Sequence, residues 1–301
     1  MRIIYCADPL NPKKVDSYYE KEYEAAKTIG FNVSLINFEE LQSNQTTRAT
    51  RQISIQEQKE KALYRGWMMT GEVYFQLYNH LKNKNIELIN NIDEYNFCHY
   101  TPNSYDVIKK ITPLTVWLHK SEIEDSLDKV FDVVEVFGQG PIILKDYVKS
   151  RKHDWNEACF IPDASNKNKL LQVVKSFIEL QGDELNEGLV FKAFVNLEFL
   201  SHHPQSGAPL SKEFRIFFLE GKPLITLEYW DEGVYGENKP ELTPFIEIAK
   251  KINSHFFTMD IAKVENGSWV ILELGDGQVS GLPNNADLIR FYNNIKLSNI
   301  Q

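Results

Sequence analysis

The chain has 301 residues, of which 43 % are hydrophobic and 25 % charged, and a net charge of −9. That length buries a sizeable core in two domains or three smaller lobes, while the acidic balance disfavours a general grip on nucleic acid or an anionic membrane and leaves only local basic patches for phosphates. Three scattered cysteines, Cys6, Cys98 and Cys159, argue against a disulfide framework and against a zinc site. The apolar run at residues 1–6 is too short for a signal peptide and no segment is long enough to span a bilayer, so the cytoplasm is the expected compartment.

Residues 2–6 read as a buried strand, and Ala-Asp-Pro-Leu-Asn-Pro after them as a loop. Residues 15–29, with Tyr18, Tyr19, Tyr23, Ala25, Ala26 and Ile29, read as a helix closed by Gly30, and 32–37 as a second strand. This order predicts a parallel α/β lobe. It contains neither a dinucleotide-binding G-x-G-x-x-G loop nor a Walker-type phosphate loop. Residues 41–56 are polar and read as an irregular excursion; Arg65-Gly-Trp67 then precedes a helix over 70–82, where Val73, Leu77, Tyr78 and Leu81 fall at helical spacing, and 86–89 is a short strand. The domain boundary is placed near residue 100, giving an α/β domain over 1–105 and a second domain over 106–301. Beyond a short helix at 106–111 and a strand at 114–118, apolar runs at 130–136, 141–144, 157–161, 189–197, 214–219, 223–229, 256–264 and 269–274 are separated by helices at 121–129, 167–180, 243–254 and 285–296. That pattern predicts an α+β domain of antiparallel sheets partly covered by helices.

Four stretches carry candidate chemistry upstream of the C-terminal strands. An apolar strand ends in Lys145, followed by Lys149, Arg151 and Lys152; the cluster is either a solvated loop or a phosphate grip led by Lys145 with Lys149 beside it. Residues 188–198 are nearly all apolar around Lys192, and a lysine inside a strand needs a partner or loses its charge. Flat apolar sequence with usable backbone groups at Ala193, Phe194 and Val195 suits an adenine ring, and Glu198 suits ribose hydroxyls; the alternative is a core strand with an edge lysine. In Lys212-Glu-Phe-Arg-Ile-Phe-Phe218, alternation puts Glu213, Arg215 and Phe217 on one face, which fixes the Arg215 guanidinium in mid-strand for a phosphoryl or carboxylate group. His202 and His203, adjacent in a loop, lack ligand geometry and read as loop residues.

The C-terminal hairpin gathers acids. Asn266-Gly267 is a strong two-residue turn signal, both residues tolerating φ > 0 as a type I′ loop requires. With that turn, Glu265 pairs with Ser268, Val264 with Trp269, and Asp260 falls opposite Glu273, about 4.5–5.5 Å between Cβ atoms. Two carboxylates with room for water and phosphate oxygens are the protein share of a Mg²⁺ site; the other possibility is a pair of solvated acids. Ile271, Leu272 and Leu274 make the strand apolar on both faces, which favours a covered sheet. Asp276, in Gly275-Asp276-Gly277, offers a third carboxylate.

A strand-ending lysine, an apolar linker strand, K-E-F-R-I-F-F, an Asp strand and an Ile-Leu-Glu strand, in that order, resemble the ATP-grasp superfamily. Asp260 followed by Glu273-Leu-Gly-Asp-Gly-Gln-Val-Ser-Gly-Leu282, with Arg65-Gly-Trp67 upstream, is similar to its clade named for a conserved arginine and two lysines. The resemblance implies an ATP-grasp fold, with lobes at about 106–188 and 189–301 that clasp ATP. It also implies ATP and Mg²⁺ as cofactors and a ligase that joins a carboxylate to an amine through an acylphosphate. Asp260, Glu273 and Asp276 would then serve the metal, Lys145, Lys149, Lys192, the 193–195 backbone, Glu198 and Arg215 the nucleotide, and Arg215 and Lys145 the reacting phosphoryl. A silent ATP-binding module and a kinase-like phosphotransferase are the alternatives. The acceptor is a small molecule, peptide or protein, with no nucleic acid or membrane partner expected. One departure is visible: the family's common pattern has asparagine two residues after the metal-binding glutamate, and this chain has Gly275.

Overall fold

Four parallel strands open the chain, β1 (Arg2–Cys6), β2 (Asn32–Ile36), β3 (Glu60–Arg65) and β4 (Ile86–Leu88), in the order β2-β1-β3-β4. Ile3, Ile4, Tyr5 and Cys6 expose no surface, as expected of a strand covered on both faces. The helix Glu20–Ile29 stops where Gly30 turns left-handed at φ 87° and returns its N–H to the carbonyls of Ala26 and Lys27. Gly71–Lys82 starts under the Thr70 side chain, which accepts from the Val73 N–H. The expected excursion at 41–56 contains the short helix Thr46–Ala49.

The chain then lays down β5 (Thr115–His119), β6 (Ile142–Asp146), β7 (Phe160–Ile161) and β8 (Gly188–Ala193), an antiparallel sheet ordered β5-β8-β6-β7. β9 (Phe199–His202) and β10 (Pro209–Ser211) form a two-stranded ribbon. The helix Lys167–Gln181 buries Leu170, Val173, Val174 and Phe177. Residues 130–136 do not form a strand. They lie mostly in the helix Asp128–Val134, where Val130 and Val134, four apart, both turn inward. Likewise 157–161 is split between the helix Trp155–Ala158 and the two-residue β7.

β11 (Glu213–Leu219), β12 (Lys222–Glu228), β13 (Phe256–Lys263) and β14 (Trp269–Asp276) complete the strands, in the order β12-β11-β13-β14. The whole is an α/β lobe followed by antiparallel α+β sheets, in a computed structural model that describes residues 1–204, 207, 209–236 and 239–298. The chain divides into two units: Met1–Cys98, Glu213–Asp260 and Gly275–Gln301 form the first, His99–Lys212 and Ile261–Leu274 the second. It crosses from the first to the second inside β13, after Asp260, and returns inside β14, before Gly275. The first core holds Tyr5, Tyr64, Tyr74, Phe217, Phe256 and Phe291; the second holds Leu118, Leu144, Phe177 and Phe191. Among the described residues no helix is long and apolar enough to cross a membrane.

Candidate active site

In the first unit, mid-strand Arg215 is paired with an acid of the protein itself: its Nε and Nη2 donate to Oδ1 and Oδ2 of Asp260 at 2.8 and 2.7 Å. Its Nη1 donates to the Gly281 carbonyl at 2.8 Å, and the guanidinium lies 4.9 Å from the centre of the Tyr229 ring. A planar fork gripped on three sides cannot swing, so Arg215 presents Asp260 in one orientation. The segment 277–281 that receives Arg215 is itself held by a second arginine. Arg65, at the end of β3 and almost wholly buried, donates to both Glu22 carboxylate oxygens at 3.0 Å and to the carbonyls of Gly277 and Ser280 at 2.6 and 2.8 Å. Tyr292 donates to Glu22 at 2.7 Å. Glu22 therefore balances a buried cation in a network where each charge has a partner.

Asp276, the expected third metal ligand, has no exposed surface. One oxygen accepts from the Asn90 side-chain amide at 2.5 Å; the other accepts from the Gln278 backbone at 2.9 Å and its side chain at 3.3 Å. Gln278 also donates to the Tyr74 hydroxyl and accepts from the Tyr64 N–H. Burial pushes the Asp276 carboxyl up to about 7, against the pull of the Asn90 and Gln278 donors toward the anion. Gly275 has a steric reason. A Cβ there would stand 2.7 Å from the Ser280 hydroxyl and 2.8 Å from that of Thr258, two groups bonded to each other at 2.8 Å, so the asparagine of the common pattern would force both hydroxyls to move.

In the second unit, Lys145 leaves the buried β6 and its Nζ meets Glu273 Oε2 at 3.1 Å. Lys192 donates to the Leu272 carbonyl. Its side chain keeps some surface, but it is packed deeply enough that burial, and then the Lys145 ammonium, pull its own ammonium down to about 7. Lys149 is exposed, and its backbone N–H is tied to the Asp146 carboxylate, which also takes the Val148 N–H, the Gln181 amide and Asn186. Burial, and then the Lys149 and Lys145 ammonium groups, hold the His99 ring down at about 3. The backbone at 193–194 is engaged: Ala193 N–H bonds the Leu114 carbonyl and Phe194 N–H that of Pro141. Val195 follows the end of β8 and is half-buried. The Phe194 ring meets Phe160 edge-on, and Phe160 stacks on Trp155 at 5.2 Å and 8°. Glu198 pairs with Lys263 at 2.6 Å, with Lys212 3.9 Å from its other oxygen.

The hairpin turn differs from the expected type I′ loop. Gly267 takes φ +88° while Asn266 stays at negative φ, and the Gly267 N–H bonds the Val264 carbonyl at 2.8 Å. Asn266 instead uses its side-chain oxygen to accept from the Ser268 N–H and hydroxyl. Val264 thus pairs with Ser268, not Trp269, and the Glu265 N–H goes to the Asn196 carbonyl. His202 and His203 stand in and after β9; part of the surrounding loop, Gln205, Ser206 and Ala208, lies outside the described residues. Sequence reasoning missed Glu22, Asn90 and Gln278 as partners of the site segments. Lys263, at the end of β13, was missed likewise as the partner of Glu198.

Among the described residues no three His, Cys, Asp or Glu side chains form a metal-binding group. No curated protein matches the chain in sequence. Solved structures share its fold. D-cycloserine synthetase DcsG aligns with TM-score 0.60 and 11 % identity over 99 % of this chain and 98 % of that one. ATP-grasp ligase PsnB, complexed with minimal precursor, Mg and ADP, aligns with TM-score 0.53 and 10 % identity over 98 % and 97 %. D-alanine–D-alanine ligase from Bacillus anthracis, complexed with ATP, aligns with TM-score 0.54 and 15 % identity over 98 % and 95 %. The family model of the ATP-grasp domain, R2K clade family 3, matches residues 136–295, more than half of the chain. The protein is therefore a member of the R2K clade of ATP-grasp domain proteins.

Proposed function

We propose that the chain is an ATP- and Mg²⁺-dependent ligase that joins a carboxylate to an amine or similar nucleophile through an acylphosphate. Its α/β domain would be residues 1–105 and its ATP-grasp domain 106–301, with lobes at 106–188 and 189–301. The observation that supports this most is that each of the two strand acids is already matched to a cation: Asp260 to Arg215 and Glu273 to Lys145. A carboxylate offers about four acceptor directions, so bonding to a side chain and to an ion are compatible. Hard carboxylate oxygens, two rather than three or four, fit Mg²⁺, which takes its remaining ligands from water and phosphate. Asp260 and Glu273 would hold that ion, and Asp276, committed to amide donors, would brace the turn that follows.

Phosphoryl transfer needs positioning and charge more than a protein nucleophile. Bound Mg²⁺ supplies charge neutralisation on phosphate oxygens. Lys145, Lys149 and Lys192 would contact phosphates. A Lys192 ammonium held near neutrality regains its proton beside an anion, so its charge is strongest with nucleotide present. Phe194 and the backbone at Val195 would face the base, the N–H groups of Ala193 and Phe194 being already bonded to Leu114 and Pro141; Glu198 would face the ribose, and Arg215 would steady the transferring phosphoryl group or the acylphosphate oxygen. Two of the similar structures hold ADP with Mg or ATP, and the acceptor here would be a small molecule, a peptide or a protein.

Hydroxylamine tests the reading. Incubated with ATP, Mg²⁺ and candidate carboxylates, the protein should release ADP and trap a hydroxamate, and Asp260→Asn and Glu273→Gln should lose both. Unaltered turnover in those variants removes the metal assignment; a stable phosphoester without hydroxamate replaces the ligase with a phosphotransferase.

A further inference from the structure

The first unit carries an exposed aromatic cluster that the nucleotide chemistry does not use. Trp67 and Tyr18 expose 37 % and 59 % of their surfaces, with ring centres 4.9 Å apart and planes 37° from each other. Tyr19, buried beneath, meets Trp67 edge-on at 5.3 Å. The arrangement is built rather than incidental. Asp16 accepts the Trp67 indole N–H at 3.0 Å through one oxygen and the Tyr18 backbone N–H at 2.9 Å through the other, and Tyr64 ties the Trp67 carbonyl at 2.8 Å.

Two features give the cluster's exposed ring surface a ligand class. An indole N–H donated to an anionic carboxylate drives electron density onto the ring, deepening the negative potential over its face, the property that attracts cations. The Asp16 carboxylate itself adds negative charge at the rim and repels an anion. The cluster also has an address. A Cβ on Gly281 would lie 3.2 Å from the Tyr18 hydroxyl, and the carbonyl of Gly281 is the one that receives Arg215, the partner of Asp260. Aromatic wall, Gly281, Arg215 and Asp260 are thus consecutive neighbours within one unit.

We propose that Trp67, Tyr18 and Asp16 form a cation subsite for the amine-bearing substrate, recognising an ammonium or guanidinium group that is not the one acylated. This assignment rests on the ligase reading for the ligand's role, though not for its binding. It makes the acceptor a diamine, a basic amino acid or a peptide with a basic residue.

Titration of the full chain with tetramethylammonium chloride, against sodium chloride for ionic strength and tert-butanol as the neutral analogue, tests the site without nucleotide. Tryptophan fluorescence should change saturably with the cation alone. Trp67→Leu and Tyr18→Leu should abolish the response, and Asp16→Asn, which keeps the volume, should weaken it about fivefold, the equivalent of one moderate cation–π contact. Tyr18→Leu alters an exposed ring and keeps the test decisive if Trp67→Leu misfolds. A response absent in the wild type, matched by tert-butanol, or intact in Tyr18→Leu overturns the subsite. Because no ATP is present, that result leaves the ligase reading standing; failure to trap a hydroxamate while the cation response persists sinks the ligase reading and not the subsite.

Discussion

Arg65→Met deletes a guanidinium that makes four bonds inside the first unit, two to Glu22 and one each to the Gly277 and Ser280 carbonyls. Glu22 would keep the Tyr292 hydroxyl but remain a buried carboxylate facing an apolar chain. Removing one member of a buried ion pair costs about 3–5 kcal/mol, because the survivor stays charged and desolvated. Each stranded carbonyl adds about 1–3 kcal/mol where no water replaces the donor. The terms overlap, and a net loss of about 5 kcal/mol is expected, as large as the whole stability of many domains. Urea unfolding at pH 7 measures it. In the double variant Arg65→Met/Glu22→Leu the charge disappears with its partner, so about 3 kcal/mol should return while the carbonyl loss persists. Arg65→Lys, which keeps the charge without the fork, should fall between and remains measurable if the methionine variant does not fold. A loss under about 1 kcal/mol in Arg65→Met, or a double variant no more stable than the single one, would refute the balance drawn here.

Other outcomes follow from the same geometry. The Asp276 carboxyl is raised in the folded state, so its contribution is fully present below about pH 4 and is lost as pH rises through about 7; stability should decline by up to about 4 kcal/mol across that window and then level off. Asp276→Asn should flatten this slope in urea titrations repeated at half-unit steps, and an unchanged slope assigns it elsewhere. For Lys192 the sign reverses: an ammonium lowered to about 7 is protonated more readily in the unfolded chain, so stability should rise from about pH 7 to pH 10, and Lys192→Met should remove that rise. Gly275→Asn should cost about 1–3 kcal/mol by overpacking against Thr258 and Ser280. Ser280→Gly in the same chain should return part of it, which thermal unfolding of the three proteins will show.

Where one face or both faces of an element were marked by local pattern, the sequence was legible. The alternation in Glu213–Leu219 and the amphipathic run of Lys167–Gln181 announce a strand and a helix, and the apolar Arg2–Cys6 announces a covered strand. β3 escaped notice because Glu60 and Lys61 precede an apolar stretch of only Ala62, Leu63 and Tyr64. Residues 130–136 misled because a short apolar run fits either period, and only the burial of Val130 with Val134 decides for helix. The Asn266-Gly267 signal located the bend but not its type, since an Asn side chain that bonds ahead to Ser268 competes with the left-handed conformation the type I′ turn needs. Partners far away in the chain left no trace: Asn90 meets Asp276 across 186 residues, and Tyr5 meets Tyr292 across 287. Such pairs belong to tertiary structure, and nothing local marks them.

That last pair bears on biosynthesis. Tyr292 sits on the helix Leu288–Leu297, which packs on Glu20–Ile29, and its hydroxyl accepts from Tyr5 and donates to Glu22. While a ribosome is still making the middle of the chain, the amino-terminal sheet must therefore wait, with its tyrosines and its buried acid uncovered, for a helix yet to be translated. Shortening the protein from the carboxyl side would leave the earliest-made strands, nearly three hundred residues upstream, as the part most exposed to proteolysis.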